Sequence, residues 1–457
     1  MKNRKSFMLI IWMLPSLVTA GEWVELFNGK NLRGWKKLDG TAEFRVENRE
    51  LVGISRTGTP NTFLATRETF SDFILEYEMK MDRGLNSGVQ FRSRAHKPDG
   101  SERVNGYQVE CDDHDDRPWA GGIYEEAARG WLYPMSYNPG VTGHFKKGEW
   151  NHVRVEAVGN TIRTFVNGVS FAHLVDDASK EGFIALQVHS IQDKALEGRE
   201  IRWREIRILT DEPEKHMTTD VELAPQVSYL VNQLTEWQEQ QGWKLLWDGK
   251  TTRGWRGAGM DRFPDRGWII KDGVLTLDKS GERGSDGGGD IMTEKLYGDF
   301  ILELDFRITP GANSGIKYIV DPELNKEEGY LVGCEYQILD NAAFREEGVS
   351  GKQTLASLYD LIEANALFHG QDNQKIRFNG AGSWNRACIE VRGNGATHSL
   401  NGVKVVEYER GTQMWKALVA FTKFKQYPGF GEARRGHILL QDHGHEVSFR
   451  TIKIREL

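Results

Sequence analysis

The chain repeats itself. WVELFNGKNLRGW at 23–35 returns as WKLLWDGKTTRGW at 243–255, identical at seven of thirteen positions. DFILE occurs at 72–76 and again at 299–303, and NSGV at 86–89 is answered by NSGI at 313–316. Trp150-Asn151 and Trp384-Asn385 are each followed at the same spacing by Gly-Asn and then by NGV, at 167–169 and 401–403. GFIALQVHS (182–190) and HILLQDHGH (437–445) both interrupt an aliphatic run with Gln-x-His. Each copy closes on an alternating run, IRWREIRIL (201–209) or VSFRTIKIREL (447–457). Matches in this order over about 200 residues mean a duplicated domain, so any fold proposed for one copy must suit both. The expected division is 21–210 and 242–457, with 211–241 between them.

Within each copy the strong segments have a period of two, as in FILEYEMKM (73–81), HVRVEAV (152–158) and TIRTFVNGV (161–169). They read as strands, and VGNT and RGNGAT supply hairpin turns. Many strands with Gly-rich connections predict an all-β sandwich or barrel. The connecting stretch reads differently. Val227, Leu230, Leu234 and Trp237 recur at steps of three and four, with Pro225 before them and Gly242 after. That spacing predicts a linker followed by one amphipathic helix.

The net charge is −7, and the only charges in the first twenty residues are the three cations Lys2, Arg4 and Lys5. The remainder is therefore still more acidic, which argues against nucleic acid or an anionic membrane as partner. Those twenty residues place a basic start before the apolar run FMLIIWML and a small-residue end at Val18-Thr19-Ala20. The pattern predicts an export signal over 1–20 and a periplasmic or secreted mature chain. The apolar run is too short to span a bilayer, and no later segment is long enough. Three cysteines, Cys111, Cys334 and Cys388, are too few for a disulfide framework. Cys334 and Cys388 could pair, but all three are expected as small buried residues.

LFNGKNLRGW, NSGV, GEWNHVRVEAVGNTIRTFVNGV and LLQDHG with VSFRTIKIREL resemble the 3-keto-disaccharide hydrolase family of exported bacterial proteins. The resemblance covers both copies. It implies two tandem concanavalin-like jelly-roll sandwiches and a substrate class, glycosides or oligosaccharides oxidised at C3.

In such a sandwich one concave sheet face holds the ligand, and residues two apart on a strand share that face. CEYQILD places Glu335 and Gln337 together, with Asp340 at the strand end; YQVECDDH does the same for Gln108, Glu110 and Asp112. Matching Tyr107-Gln108 to Tyr336-Gln337 leaves the carboxylates at different positions, so the two sites should differ. Tyr124-Glu125 answers Tyr359-Asp360, a Tyr beside a carboxylate in each copy. Trp119, Trp131 and Tyr133 add rings that could stack on a sugar. Asn86 and Asn313 open the matched NSG stretches, and Arg92 and Lys317 are cations for a developing oxyanion. His189 and His443, each two residues after Gln187 or Gln441, are the acid–base candidates. His443 and His445 have the spacing that a divalent cation could use, but the first copy lacks the second His, so no metal ligand is assigned.

A C3 ketone acidifies H2 and places the C1 oxygen β to the resulting carbanion. Elimination followed by addition of water is then a net hydrolysis. It needs a base at C2, an electrophile at the C3 oxygen and an acid for the leaving group. In the second copy these are expected to be His443, then Lys317, Gln441 or a cation, then Glu335 or Asp360. In the first copy they are His189, Arg92, and Glu110 or Glu125. Two rival readings remain: a glycosidase with paired carboxylates, and a non-catalytic double lectin-like module of the same fold.

Overall fold

A computed structural model of the chain describes residues 21–96, 102–278, 289–325, 331–344, 350–365 and 378–457. The expected export signal lies outside the described residues. No helix among them is long and apolar enough to cross a membrane.

The strands assemble as two antiparallel sandwiches, one per copy. In the first, Phe73–Met81 is central to one sheet, between Asn151–Val158 and Glu200–Leu209. The facing sheet runs Gly130–Tyr133, Ile123–Glu126, Glu102–Asp112, Asn86–His96, Phe183–Val188, Thr62–Thr66 and Trp35–Asp39. Leu75, Tyr77 and Trp203 from one layer meet Val89, Val109 and Leu186 from the other in a single core. The second copy repeats the plan. Phe300–Ile308 lies between Asn385–Arg392 and Val447–Glu456, and the facing sheet runs Trp255–Gly257, Ile291–Thr293, His437–Leu440, Asn313–Val320 and Cys334–Leu339. Leu302, Leu304 and Ile454 there meet Ile316, Tyr336 and Leu440. The architecture is the all-β jelly-roll pair expected.

The connection departs from the helical reading. Gln226–Ser228 is a strand, paired in parallel with Val169–Val175 at the edge of the first domain. The helix is only Glu236–Gln240, capped by Thr235. Val227 and Tyr229 pack against the first domain's core. Val227 and Tyr229 are two apart, the period of an extended segment, and that segment covers an open sheet edge, where β-branched Val227 fits and exposed backbone finds partners. The same segment touches the second domain. Arg386 donates to the Ser228 carbonyl at 2.8 Å and lies 4.1 Å over the Tyr229 ring. The Asn232 side chain accepts from Thr451 N at 2.7 Å and donates to the Gly273 carbonyl at 2.8 Å. All three cysteines are free; Cys111 and Cys334 are buried and Cys388 is partly covered.

Candidate active site

The NSG stretches position both sites in the same way. Ser87 Oγ donates to the Gln187 carbonyl at 2.7 Å, and Ser314 Oγ donates to the Gln441 carbonyl at 2.8 Å. This fixes the residue at which each aliphatic strand ends. The glycine that follows clears space: a Cβ on Gly88 would lie 2.4 Å from Gln108, and one on Gly315 would lie 2.1 Å from Glu335. Only glycine lets those long side chains cross the neighbouring strand.

The strand register revises the match between the copies. Gly88 pairs with Glu110 and Gln90 with Gln108, whereas Gly315 pairs with Gln337 and Lys317 with Glu335. Gln108 therefore corresponds to Glu335, and Glu110 to Gln337. The Tyr-Gln match in sequence is a coincidence two residues out of register; it keeps the face but misplaces the partner. Each site thus holds one amide and one carboxylate, exchanged in position. The cross-strand neighbour changes with them: Gln90 Nε2 donates to Gln108 Oε1 at 2.7 Å, whereas Lys317 faces Glu335.

In the second domain a pocket of about 390 Å³ gathers Asn313, Lys317, Glu335, Gln337, Tyr359, Gln441 and His443. Gln337 donates to Asn313 Oδ1 at 3.1 Å, which turns the Asn313 amide toward His443 Nε2, 3.5 Å away. Lys317 Nζ donates to the Leu331 carbonyl at 3.0 Å and lies 3.7 Å from Asp290. Lys423, Phe424 and Tyr427, from a segment after the helix Gln413–Ala420, complete the wall. The Lys423 ammonium is 4.4 Å over the Tyr359 ring. Nothing in the repeat points to these three residues, because the first domain has no counterpart for their segment.

In the first domain a larger cleft, about 1340 Å³, gathers Asn86, Gln108, Glu110, Tyr124, Trp131, Gln187 and His189. Trp131 stands edge-on to Trp119 and to Tyr124, with centroids 5.4 and 5.5 Å apart, so the aromatic platform forms. Tyr133 does not join it; its ring is buried and its hydroxyl donates to the Pro225 carbonyl. Phe378 and Asn379 of the second domain also line this cleft. Burial pushes the Glu110 carboxyl up to about 8, against hydrogen bonds from Asn86 and Gln108 that favour its charged form. Burial also lowers His189, whose Nδ1 donates to the Ser190 carbonyl at 2.7 Å and leaves the lone pair on Nε2.

The Gln at the start of each Gln-x-His motif has a common feature. Among the described residues, Gln187 is fully buried with no partner for either amide atom, and Gln441 is buried with none for its Oε1. Buried amides without partners cost free energy unless something else binds them.

Four expected residues fall elsewhere. Arg92 sits on a bulge at φ 46°, matched by Ile319 at φ 50° in the second domain. The bulge turns the side chain inside, where it donates to the carbonyls of Ser71, Ala157 and Gly159 and pairs with Asp72. Period-two counting failed there because a bulge adds a residue. Glu125 and Asp360 neighbour an inward Tyr and so face the other way. Glu125 is bound by Arg129, and Asp360 meets Gln353 at 3.4 Å. Asp340 ends its strand by accepting from the Gly311 and Ala342 amides.

Other polar residues of the first cleft lay outside the expected set, among them His114, Arg117 and Glu126. Glu126 is paired with Arg103. His114 Nδ1 lies 2.8 Å from Asp112 Oδ1, and Asp112 also accepts from Asn86 at 2.9 Å. The signal for His114 was its position two residues beyond Asp112. His443 and His445 have ring centroids 6.0 Å apart, but among the described residues no three His, Cys, Asp or Glu side chains gather as a metal ligand set.

The 3-keto-alpha-glucoside-1,2-lyase-like domain model matches this chain twice, over residues 22–209 and 242–455. A 3-keto-disaccharide hydrolase from Bacteroides thetaiotaomicron is 34% identical over 241 residues, covering 48% of this chain and 80% of that protein. A solved structure of a candidate glycosyl hydrolase from Parabacteroides distasonis is 27% identical, covering 50% of this chain and 99% of its own, with a TM-score of 0.42. A carbohydrate-binding module from Bacillus subtilis is 16% identical, covering 38% of this chain and 95% of its own, with a TM-score of 0.26.

Proposed function

Because the chain belongs to the 3-keto-alpha-glucoside-1,2-lyase-like family, we propose that it is an exported enzyme that cleaves 3-keto-glycosides. The route is removal of H2, elimination of the C1 group and addition of water. The observation that carries this reading is the pairing, in both clefts, of a His with the buried Gln two residues before it, whose amide oxygen has no partner among the described residues. A sugar hydroxyl or carbonyl satisfies the amide, and the imidazole then sits beside the ring.

In the first domain His189 Nε2 takes H2, and Glu110, protonated at neutral pH, gives its proton to the leaving oxygen. Trp119, Trp131 and Tyr124 offer ring faces to the sugar. In the second domain His443 is the base, the Lys317 ammonium faces the C3 oxygen, and Glu335 is the acid. The export signal expected over 1–20 supplies the route to the periplasm or medium.

The direct test is to incubate the full chain with a 3-keto-glucoside and with its unoxidised parent. The oxidised compound is expected to release aglycone and the parent is not. Equal turnover of both would favour a paired-carboxylate glycosidase. Affinity without turnover would favour a lectin-like module.

The raised Glu110 gives a second expectation. Its acid form prevails below about pH 8, so turnover by the first domain falls as pH rises through that value. The stability sign agrees. A carboxyl whose folded pKa lies above its ordinary 4.5 favours folding at low pH, and this contribution is lost by about pH 8. Glu110→Gln should remove both dependences, as read in kcat and in Tm against pH.

A further inference from the structure

The first domain lacks the cation that the second domain presents at Lys317. Gln90 occupies that position, buried and bonded to Gln108, and Arg92 is turned into the interior. An enolate formed at C2–C3 needs a donor for its oxygen, and another group on this cleft is built to supply one. His114 lines the cleft, and its Nδ1 is 2.8 Å from Asp112, a carboxylate 1% exposed. Asp112 is held by the Asn86 side chain at 2.9 Å and by the His114 backbone amide at 2.8 Å, and Arg117 lies 3.9 Å away. That frame fixes the ring orientation. Nε2 of His114 has no hydrogen-bond partner among the described residues.

The second domain has dispensed with this device. Asp112 pairs with Asn86 across the strands, and the residue pairing with Asn313 is Leu339. Two residues on, where His114 stands, is Asn341, whose side chain accepts from the Leu355 amide at 2.9 Å. The two donors differ in place: Lys317 lies on a strand of the second cleft, whereas His114 follows a strand of the first, and Lys423 and Arg117 also line the respective clefts.

We infer that His114, positioned by Asp112, is the electrophile for the C3 oxygen in the first domain, an assignment that rests on the 3-keto-glycoside reading. His189 Nε2 takes the proton from C2, and the C–H bonding pair becomes the C2=C3 bond. The carbonyl pair moves onto the C3 oxygen, which accepts a hydrogen bond from Nε2–H of His114 in its imidazolium form, the Nδ1–H being held by Asp112. The oxygen pair then re-forms the C3 carbonyl, the C2=C3 pair becomes the C1=C2 bond, the C1–O pair leaves with the oxygen, and that oxygen takes the proton of Glu110.

The test isolates enolisation. In heavy water, 1,5-anhydro-3-ketoglucitol has no leaving group at C1, and it reports the step by exchange of H2, after spontaneous exchange is subtracted. The full chain carrying His443→Ala confines the reading to the first domain. Adding His114→Ala should lower this exchange by about 10²–10³-fold, a larger factor than its effect on affinity for unoxidised 1,5-anhydroglucitol. His114→Gln, which keeps an N–H donor, should recover part of the loss, and Asp112→Asn should lower exchange by a smaller factor. Unchanged exchange in the His443→Ala/His114→Ala protein would overturn the assignment. So would a His443→Ala protein that exchanges nothing, since enolisation would then belong to the second domain. A wild-type chain that releases no aglycone from a 3-keto-glucoside would instead overturn the proposed function, and this assignment with it.

Discussion

Replacing His189 and His443 together by alanine is expected to lower aglycone release from a 3-keto-glucoside by about 10²–10⁴-fold, the usual contribution of a positioned general base. Both residues stand just past a strand whose last Gln carbonyl is held by a Ser hydroxyl, and both line a cleft. Neither ring belongs to a hydrophobic core, so stability should change little. The single variants divide the activity between the domains. A base acting at C2 also predicts that product formed in heavy water carries deuterium there, whereas direct displacement at C1 would leave C2 untouched. Full activity in the double variant, with no label at C2, would sink the elimination route. The two imidazoles would then be recurring hydrogen-bonding residues kept by duplication.

A loss of stability of about 3–5 kcal/mol is expected for Arg129→Met, because breaking a buried ion pair from one side strands the other charge. Arg129 bridges Glu125 and Asp176, both buried, and Asp176 also accepts from the buried Tyr107 hydroxyl. Burial alone would raise Asp176; hydrogen bonds and charge from Arg129 outweigh it and hold the group below its ordinary value. A carboxylate with a depressed folded pKa contributes stability above its ordinary value and loses it as pH falls. Without Arg129 the burial cost is unopposed. Denaturation of the variant should therefore show the largest deficit at neutral pH and a smaller one in acid, where the stranded carboxyls take up protons. A variant as stable as the parent at pH 7 would mean that water reaches Asp176.

The sequence by itself determined the duplication, the all-β class and most of both clefts. The reason is local: a strand alternates its faces every residue, so polar residues two apart inside an apolar run must share a face. Two copies keeping Gln-x-His at the same place make chance improbable. Gln187, His189, Gln441 and His443, with the Asn, Glu, Gln and Tyr residues around them, converge accordingly. Tertiary structure decided what depends on register and on distant segments. A bulge moved Arg92 from cleft to interior, and cross-strand pairing exchanged the amide and carboxylate between copies. The edge of the first sheet took Val227 as a strand where its spacing read as a helix. Lys423, Phe424 and Tyr427 reach the second pocket, and Phe378 of the second domain reaches the first cleft. Such contacts are set by which sheet edge or cleft mouth is left open, and that is fixed only once the layers have packed.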